Sequence, residues 1–337
     1  MYFDYASYYP EKKFWIDDNL AAVNAGHFSS VKTTATLEKA RYEIADFISA
    51  DNQNVFFPSS SADALEIILD YTIENLHVEN VIIPYCIFPV YHTVLERYRR
   101  RGLAIHAIKP DNLDLEGFSA SLSKLRNPLV IFANPLPSGK LIPVKRLINA
   151  AKKGGALTAF DFSLSLTLYE INASSINADF VFFDAQYIDA LKGAAVLYVA
   201  PGHKIKRYSG RGTGEYGLIA GQPNVLAVAS LAHSLTVARE KREEFNLKAQ
   251  ELKDIFLAKN YEGWTVVPDG NSAPSIVSLM PITGSVDDTI MMLDALGAEA
   301  GKIFCGRDIL RISFGYETTQ QEVEQLSEML FRLVSEK

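Results

Sequence analysis

Seven short apolar runs, each set off by amphipathic or polar stretches, constrain this chain more than any other feature. They are "VFF" (55–57), "VII" (81–83), "LAIHAI" (103–108), "LVIFA" (129–133), "ALTAF" (156–160), "DFVFF" (179–183) and "AAVLYV" (194–199). Most are apolar throughout, as strands covered on both faces are. Between the first five lie amphipathic stretches such as 61–75, 89–101 and 144–153. This alternation predicts a mostly parallel, doubly covered α/β sheet. The last two runs are only about ten residues apart, too close for a helical crossover, so the final pair is predicted antiparallel.

After Pro223 a helical pattern over about 224–258 leads into a second body. There the pattern predicts strands at 264–267, 275–280 and 309–314 and helices at 286–298 and 319–335. "ETTQQEVEQL" is a helix start with Thr318 or Thr319 as cap. We divide the chain into an N-terminal segment (1–30) packing on the small domain, a large α/β domain (31–235) and a small C-terminal α+β domain (236–337). The 337 residues suffice for both cores.

A net charge of −7, from 33 basic and 40 acidic residues, gives no reason to expect nucleic acid or an anionic membrane as partner. The one basic cluster (Arg97, Arg99, Arg100, Arg101) reads as a solvated helix C-terminus. The N-terminus lacks a basic region followed by an apolar core, and no apolar run reaches the ~18 residues of a spanning helix. Cys86 and Cys305 are far apart in sequence and not in metal-ligand spacing, and the six histidines do not cluster. We therefore expect no metal site and a cytoplasmic setting.

Several stretches carry chemistry or a plain structural role. "PSSSADALEIIL" (58–69) follows a strand and opens a helix, where backbone N–H groups hold an anion or Ser60 or Ser61 simply caps. "ANPLPSGKLIPV" (133–144), with Asn134, is a rigid turn at a strand's carboxyl end, the edge where open α/β sheets place their ligand crevice. Asp161 follows a strand at the same edge and either pairs with a protonated ring nitrogen or caps the next turn. Arg311, inside the apolar "LRISFG", calls for a carboxylate, internal or on a ligand. Cys305 is a reactive thiol or a small buried hydrophobe.

Taken in order, these pieces resemble the class V aminotransferase and cysteine desulfurase family, which uses pyridoxal phosphate (PLP) on fold type I. "MYFDYASYYP" is similar to the family's opening "YLDxAATTP", and "NAGHFSSVKTTATLEKARYEIADFISA" (24–50) to its "GNPSSxHxxGxxAxxxxExAR" stretch. "FPSSSADAL" matches the "TSGATES" phosphate loop and "GRGTGEYGLIAGQPNV" (210–225) the "GGGQExGLRSGTxNV" segment. "LRISFGYETTQQEVEQL" is similar to the closing "RxSxGxxTTxEEId". The resemblance implies a mostly parallel seven-stranded sheet covered by helices, a smaller α+β domain, and a homodimer whose site forms between subunits.

The chemical residues depart from that pattern. "DAQYIDALKG" falls on "SAHKxxGPKG", so the Schiff-base lysine maps to Tyr187, and a phenol forms no aldimine. Shifting the register by about five residues to make Lys192 the anchor breaks the "KG" match, and Lys204 and Lys206 lie beyond the following strand. The phosphate-binding serine maps to Asp184, whose charge repels phosphate. The preceding histidine becomes Gln186, and in the phosphate loop Gly becomes Ser60 and Thr becomes Ala62. The ring-stacking histidine becomes Phe88, a ring that can still stack. The Gln after the ring-nitrogen Asp becomes Leu164, and in the "LRSGT" segment Arg becomes Ile219 and Thr becomes Gln222. Asp161 and Arg311 keep the places of the ring-nitrogen partner and the substrate-carboxylate ligand. Three lost phosphate contacts at about 1.5–3 kcal/mol each weaken binding by several powers of ten.

Three readings follow. In the first, a member without PLP Schiff-base chemistry keeps the fold and binds a small anionic or amino-acid-like ligand, or acts as partner subunit beside an active relative. In the second, PLP or pyridoxamine phosphate binds non-covalently, with Tyr187 as acid–base group. In the third, the protein is a cysteine desulfurase with Cys305 as sulfur acceptor.

Overall fold

The computed structural model describes residues 1–10, 31–109, 113–205, 214–219, 221–268 and 270–335. Two sheets organise the chain. The first strand, β1 (Tyr2–Phe3), joins the second sheet. The other early strands are β2 (Val55–Phe56), β3 (Asn80–Pro84), β4 (Ala104–Ile108), β5 (Pro128–Ala133), β6 (Leu157–Asp161), β7 (Phe180–Asp184) and β8 (Ala195–Val199). They form one seven-stranded sheet in the order β2-β8-β7-β6-β5-β3-β4. Thus each of the seven apolar runs becomes a strand. β3 through β7 pair in parallel, while β8 runs antiparallel to β7, as the short connection predicts, and also to β2.

The helices of this half are α1 (Val31–Phe47), α2 (Ser61–Leu76), α3 (Pro89–Arg99), α4 (Leu115–Leu122), α5 (Val144–Lys153), α6 (Ala173–Ile176) and α7 (Val225–Glu240). The strands are apolar throughout because both faces are covered. Val130, Phe132, Phe160, Val181, Phe183 and Val196 enter one core with α1, α4, α5 and α7. The alternate residues Leu129, Ile131, Ala159, Phe180, Phe182 and Leu197 enter a second core with α2 and α3. This is the period-two alternation of a pleated strand, with both parities apolar.

The second sheet contains β9 (Trp264–Val267), β10 (Ile276–Pro281), β11 (Glu299–Phe304) and β12 (Asp308–Ser313), in the order β1-β11-β12-β10-β9. With it go α8 (Arg242–Leu257), α9 (Val286–Ala295) and α10 (Gln320–Ser335). Thr319 caps α10 in a reciprocal box: its hydroxyl donates to Glu322 at 2.8 Å and accepts from the Glu322 N–H at 3.3 Å. Gly301 admits the N-terminal segment, because a Cβ there would overlap the Asp4 carboxylate.

Three expectations are corrected. The continuous pattern over 224–258 is two helices, α7 and α8, separated at Lys241. The predicted helix 286–298 stops at Ala295, and "EAGKIF" turns into the unforeseen strand β11. Cys305, read as a reactive thiol or a small buried hydrophobe, is joined to Cys86 in a disulfide with Cα atoms 4.2 Å apart. No helix among the described residues is long and apolar enough to cross a membrane.

Two segments that carry the family resemblance meet in the core. Arg41 of α1 donates to both carboxylate oxygens of Glu215 at 2.9 and 2.8 Å, and to the Val55 carbonyl at 2.5 Å. Glu215 also accepts from the Phe57 N–H at 3.0 Å. A fork-on-fork pair of this kind fixes both partners geometrically. It ties α1, β2 and the 214–219 segment together. Residues 11–30, 206–213 (with Lys206) and 220 of the segments named above lie outside the described residues.

Candidate functional site

Strands β5, β6 and β7 end together, and Asp161 and Asp184 are the last residues of β6 and β7. The parallel topology thus gathers them at the carboxyl edge, beside the start of α2. Asp161 is 1% exposed and Asp184 is 3% exposed. A buried carboxylate must have partners, and both find them within the chain.

Asp161 accepts the Tyr91 hydroxyl at 2.7 Å and the Ser163 N–H at 2.7 Å. Burial, with Asp184 nearby, pushes its carboxyl up to about 6. Asp184 accepts the Ser61 N–H at 2.7 Å and the Gln186 N–H at 3.0 Å. Burial raises its pKa as well, against those hydrogen bonds. Ser60 is the plain N-cap of α2, accepting the Asp63 N–H at 3.1 Å.

Tyr187 is buried at 6% exposure. Its ring lies 5.3 Å from Phe88, which lies 5.5 Å edge-on to Tyr91, itself 5.9 Å from Phe182. Burial raises the Tyr187 phenol, and Asp161 and Asp184 add to the effect, so it stays protonated. Such aromatic pairs contribute about 0.5–1.5 kcal/mol each beyond area burial.

Arg311 of β12, 2% exposed, also finds an internal partner. Its Nη2 donates to Asp4 at 3.2 Å and to Ser7 at 2.5 Å, and its Nη1 to the Pro137 carbonyl at 3.3 Å. Its Nε is buried without a partner. The field of Arg311 reaches Tyr187.

The remaining candidates lie elsewhere. The Asn134 side chain holds the Ile142 N–H at 2.9 Å and bonds the Tyr169 hydroxyl, lining a separate hollow of about 410 Å³ with Leu141, Phe162 and Asn271. Gln222 is exposed and lines a hollow of about 330 Å³ with Ser59 and Asn224. Lys192 is exposed, its Nζ 3.5 Å over the Tyr8 ring, so it is not a buried anchor. Cys305 is bonded to Cys86, two residues before Phe88. Among the described residues no three histidine, cysteine or acidic side chains form a metal-binding group. Tyr91, Asp4 and Ser7 were missed from sequence, since nothing local distinguishes them from core or loop residues.

These residues do not fit PLP. The amide that a phosphate would take, at the start of α2, is held by Asp184. The carboxylate that a pyridinium would need is held by Tyr91 and Ser163. The guanidinium that a substrate carboxylate would need is held by Asp4. No lysine occupies position 187.

The Asp161 environment has a measurable consequence. A carboxyl raised to about 6 in the folded chain but near 4 unfolded favours folding most below about pH 4, and that contribution is lost as pH rises through about 6. The stability gap between wild type and Asp161→Asn should therefore shift by about 2–3 kcal/mol against wild type between pH 4 and pH 7. Urea unfolding of both proteins across that range reads it, and a gap independent of pH would refute it.

The comparisons with known proteins agree with the architecture. The chain matches the family model "Aminotransferase class-V" over residues 9–326. It is 23% identical to a probable cysteine desulfurase of Vibrio cholerae serotype O1, covering 95% of this chain and 88% of that protein. It is 26% identical to a cysteine desulfurase of Bradyrhizobium diazoefficiens over 47% of this chain and 41% of that protein. A NifS-like protein superposes with a TM-score of 0.84 at 18% identity, covering 100% of this chain and 99% of the other, which shows a shared fold. A NifS-like protein from Rickettsia africae superposes equally well, at 16% identity over 100% and 99%. Matched over nearly its whole length, and built on the mostly parallel sheet of PLP fold type I, the chain belongs to the aminotransferase class-V family.

Proposed function

We propose that this chain is a family member that has given up PLP Schiff-base chemistry and serves as a binding or partner subunit built on the inherited fold. One observation carries the reading: the Asp184 carboxylate sits on the Ser61 N–H, at the start of the helix that the family uses for phosphate. An internal anion there repels an incoming one and occupies its donor. Tyr187 removes the amine that would anchor the aldehyde, and Asp4 takes the arginine that would receive a carboxylate. A homodimer in the cytoplasm belongs to this reading, supported by the family membership.

A second reading has support from the relatives, which are named cysteine desulfurases. It requires Cys305 as a free acceptor thiol, whereas Cys305 is bonded to Cys86. A third, non-covalent use of PLP or pyridoxamine phosphate, has Asp161 in its favour and Asp184 against it.

One experiment separates them. Protein mixed with PLP should show no bound chromophore between about 320 and 450 nm after desalting, and borohydride should leave no pyridoxyl group on any core peptide. Light scattering on the same sample should give twice the 37.4 kDa chain mass. A bound, non-reducible chromophore would favour the third reading. Sulfide release from cysteine, abolished by Cys305→Ala, would favour the second.

A further inference from the structure

Cys86 lies in the loop between β3 and α3, on the seven-stranded sheet. Cys305 follows β11 in the tight turn to β12, on the five-stranded sheet, where its N–H donates to the Arg307 carbonyl at 2.9 Å. The two are 219 residues apart in sequence and are the chain's only cysteines. Around them Ile303 and Ile309 of the small sheet pack with Tyr85 of the large one. A bond here crosses the junction of the two bodies, two residues from Phe88, whose ring touches Tyr187.

The two sulfurs differ in access. Cys86 is 1% exposed, and Cys305 is half-buried. A thiol from solution therefore meets the Cys305 side of the bond. Rates of such exchange depend on which sulfur can be attacked and on the leaving thiol.

We infer that Cys86 and Cys305 form a reversible thiol–disulfide site that fastens the two sheets together at the Phe88 edge. In the reducing direction a small-molecule thiolate attacks the Cys305 sulfur, and the protein S–S bond breaks. Cys86 leaves as a thiolate and takes a proton. A second small-molecule thiol then displaces Cys305, giving two protein thiols and one small-molecule disulfide. The oxidising direction reverses these steps, with glutathione disulfide as the two-electron oxidant. In a reducing compartment the site stands open, and oxidation closes it, the usual pattern for disulfides of intracellular proteins. The inference is independent of what the pocket binds.

The test uses the whole native chain. Poised with glutathione disulfide, it should titrate no thiols, and a non-reducing digest should link the Cys86 and Cys305 peptides within one chain. Reduced with excess glutathione without denaturant, it should titrate two thiols and close again on reoxidation. Amide exchange in 85–88 and 303–309 should be at least tenfold slower in the oxidised form. A Cys86→Ser/Cys305→Ser double variant should exchange like reduced wild type under both conditions, and Cys305→Ser alone should expose no bond. Two free thiols persisting under glutathione disulfide, or a link formed only between chains, would overturn the proposal. So would identical exchange in both redox states.

Discussion

Replacing Glu215 by alanine should cost about 3–5 kcal/mol of folding stability, the largest effect expected of any single substitution discussed for this chain. The change leaves the Arg41 guanidinium buried with the Val55 carbonyl and a single-sided contact to Glu38. Glu38 is half-exposed, so solvent weakens what it can offer. It also leaves the Phe57 N–H of the strand-to-loop junction without its acceptor. For a chain of this size the melting temperature should fall by about 4–7 °C. A companion protein, Arg41→Met with Glu215→Leu, should recover most of the loss, because the penalty comes from an orphaned charge more than from a missing attraction. Calorimetry on the three proteins reads both effects. A Glu215→Ala protein within 1 kcal/mol of wild type would mean that the pair is incidental to the fold.

The second large effect is a gain of binding. Asp184→Ala should destabilise the chain by about 3 kcal/mol, since it strips the Ser61 and Gln186 N–H groups of a charged acceptor. It should also uncover an anion site at the start of α2. With 100 mM phosphate and a dissociation constant near 1 mM, ligand linkage restores about 2.7 kcal/mol. Wild type at matched ionic strength should gain none of it, because its own carboxylate fills the place. Melting curves in phosphate against chloride read the difference. Equal stabilisation of both proteins would show that Asp184 does not occupy the cradle.

The strands were legible because burial on both faces leaves a run of apolar residues with no polar partner to dilute it. β11 escaped notice for the opposite reason: Glu299, Gly301 and Lys302 break the run, and only part of the strand is buried. The break at Lys241 has neither glycine nor proline to mark it; how α8 packs on the small sheet decides it. At the site, residue types spoke clearly. A phenol for an amine and a carboxylate for a serine both announced lost chemistry. What the pattern could not convey was partnership. Asp4 meets Arg311 across 307 positions, and Cys86 meets Cys305 across 219, distances at which local periodicity carries no information. Asp184 read as a repeller of phosphate, yet its position on the Ser61 N–H makes it a resident substitute.

The glycine beside Asp4 gives the pocket a simple genetic lever. Because Gly301 has no side chain, Asp4 lies flat against β11 and reaches Arg311. One added methyl at that position would push the Asp4 carboxylate aside and leave the guanidinium with Ser7 and the Pro137 carbonyl. Whether the arginine keeps its charged partner is thus governed by a single carbon on a neighbouring strand, with no charged residue altered.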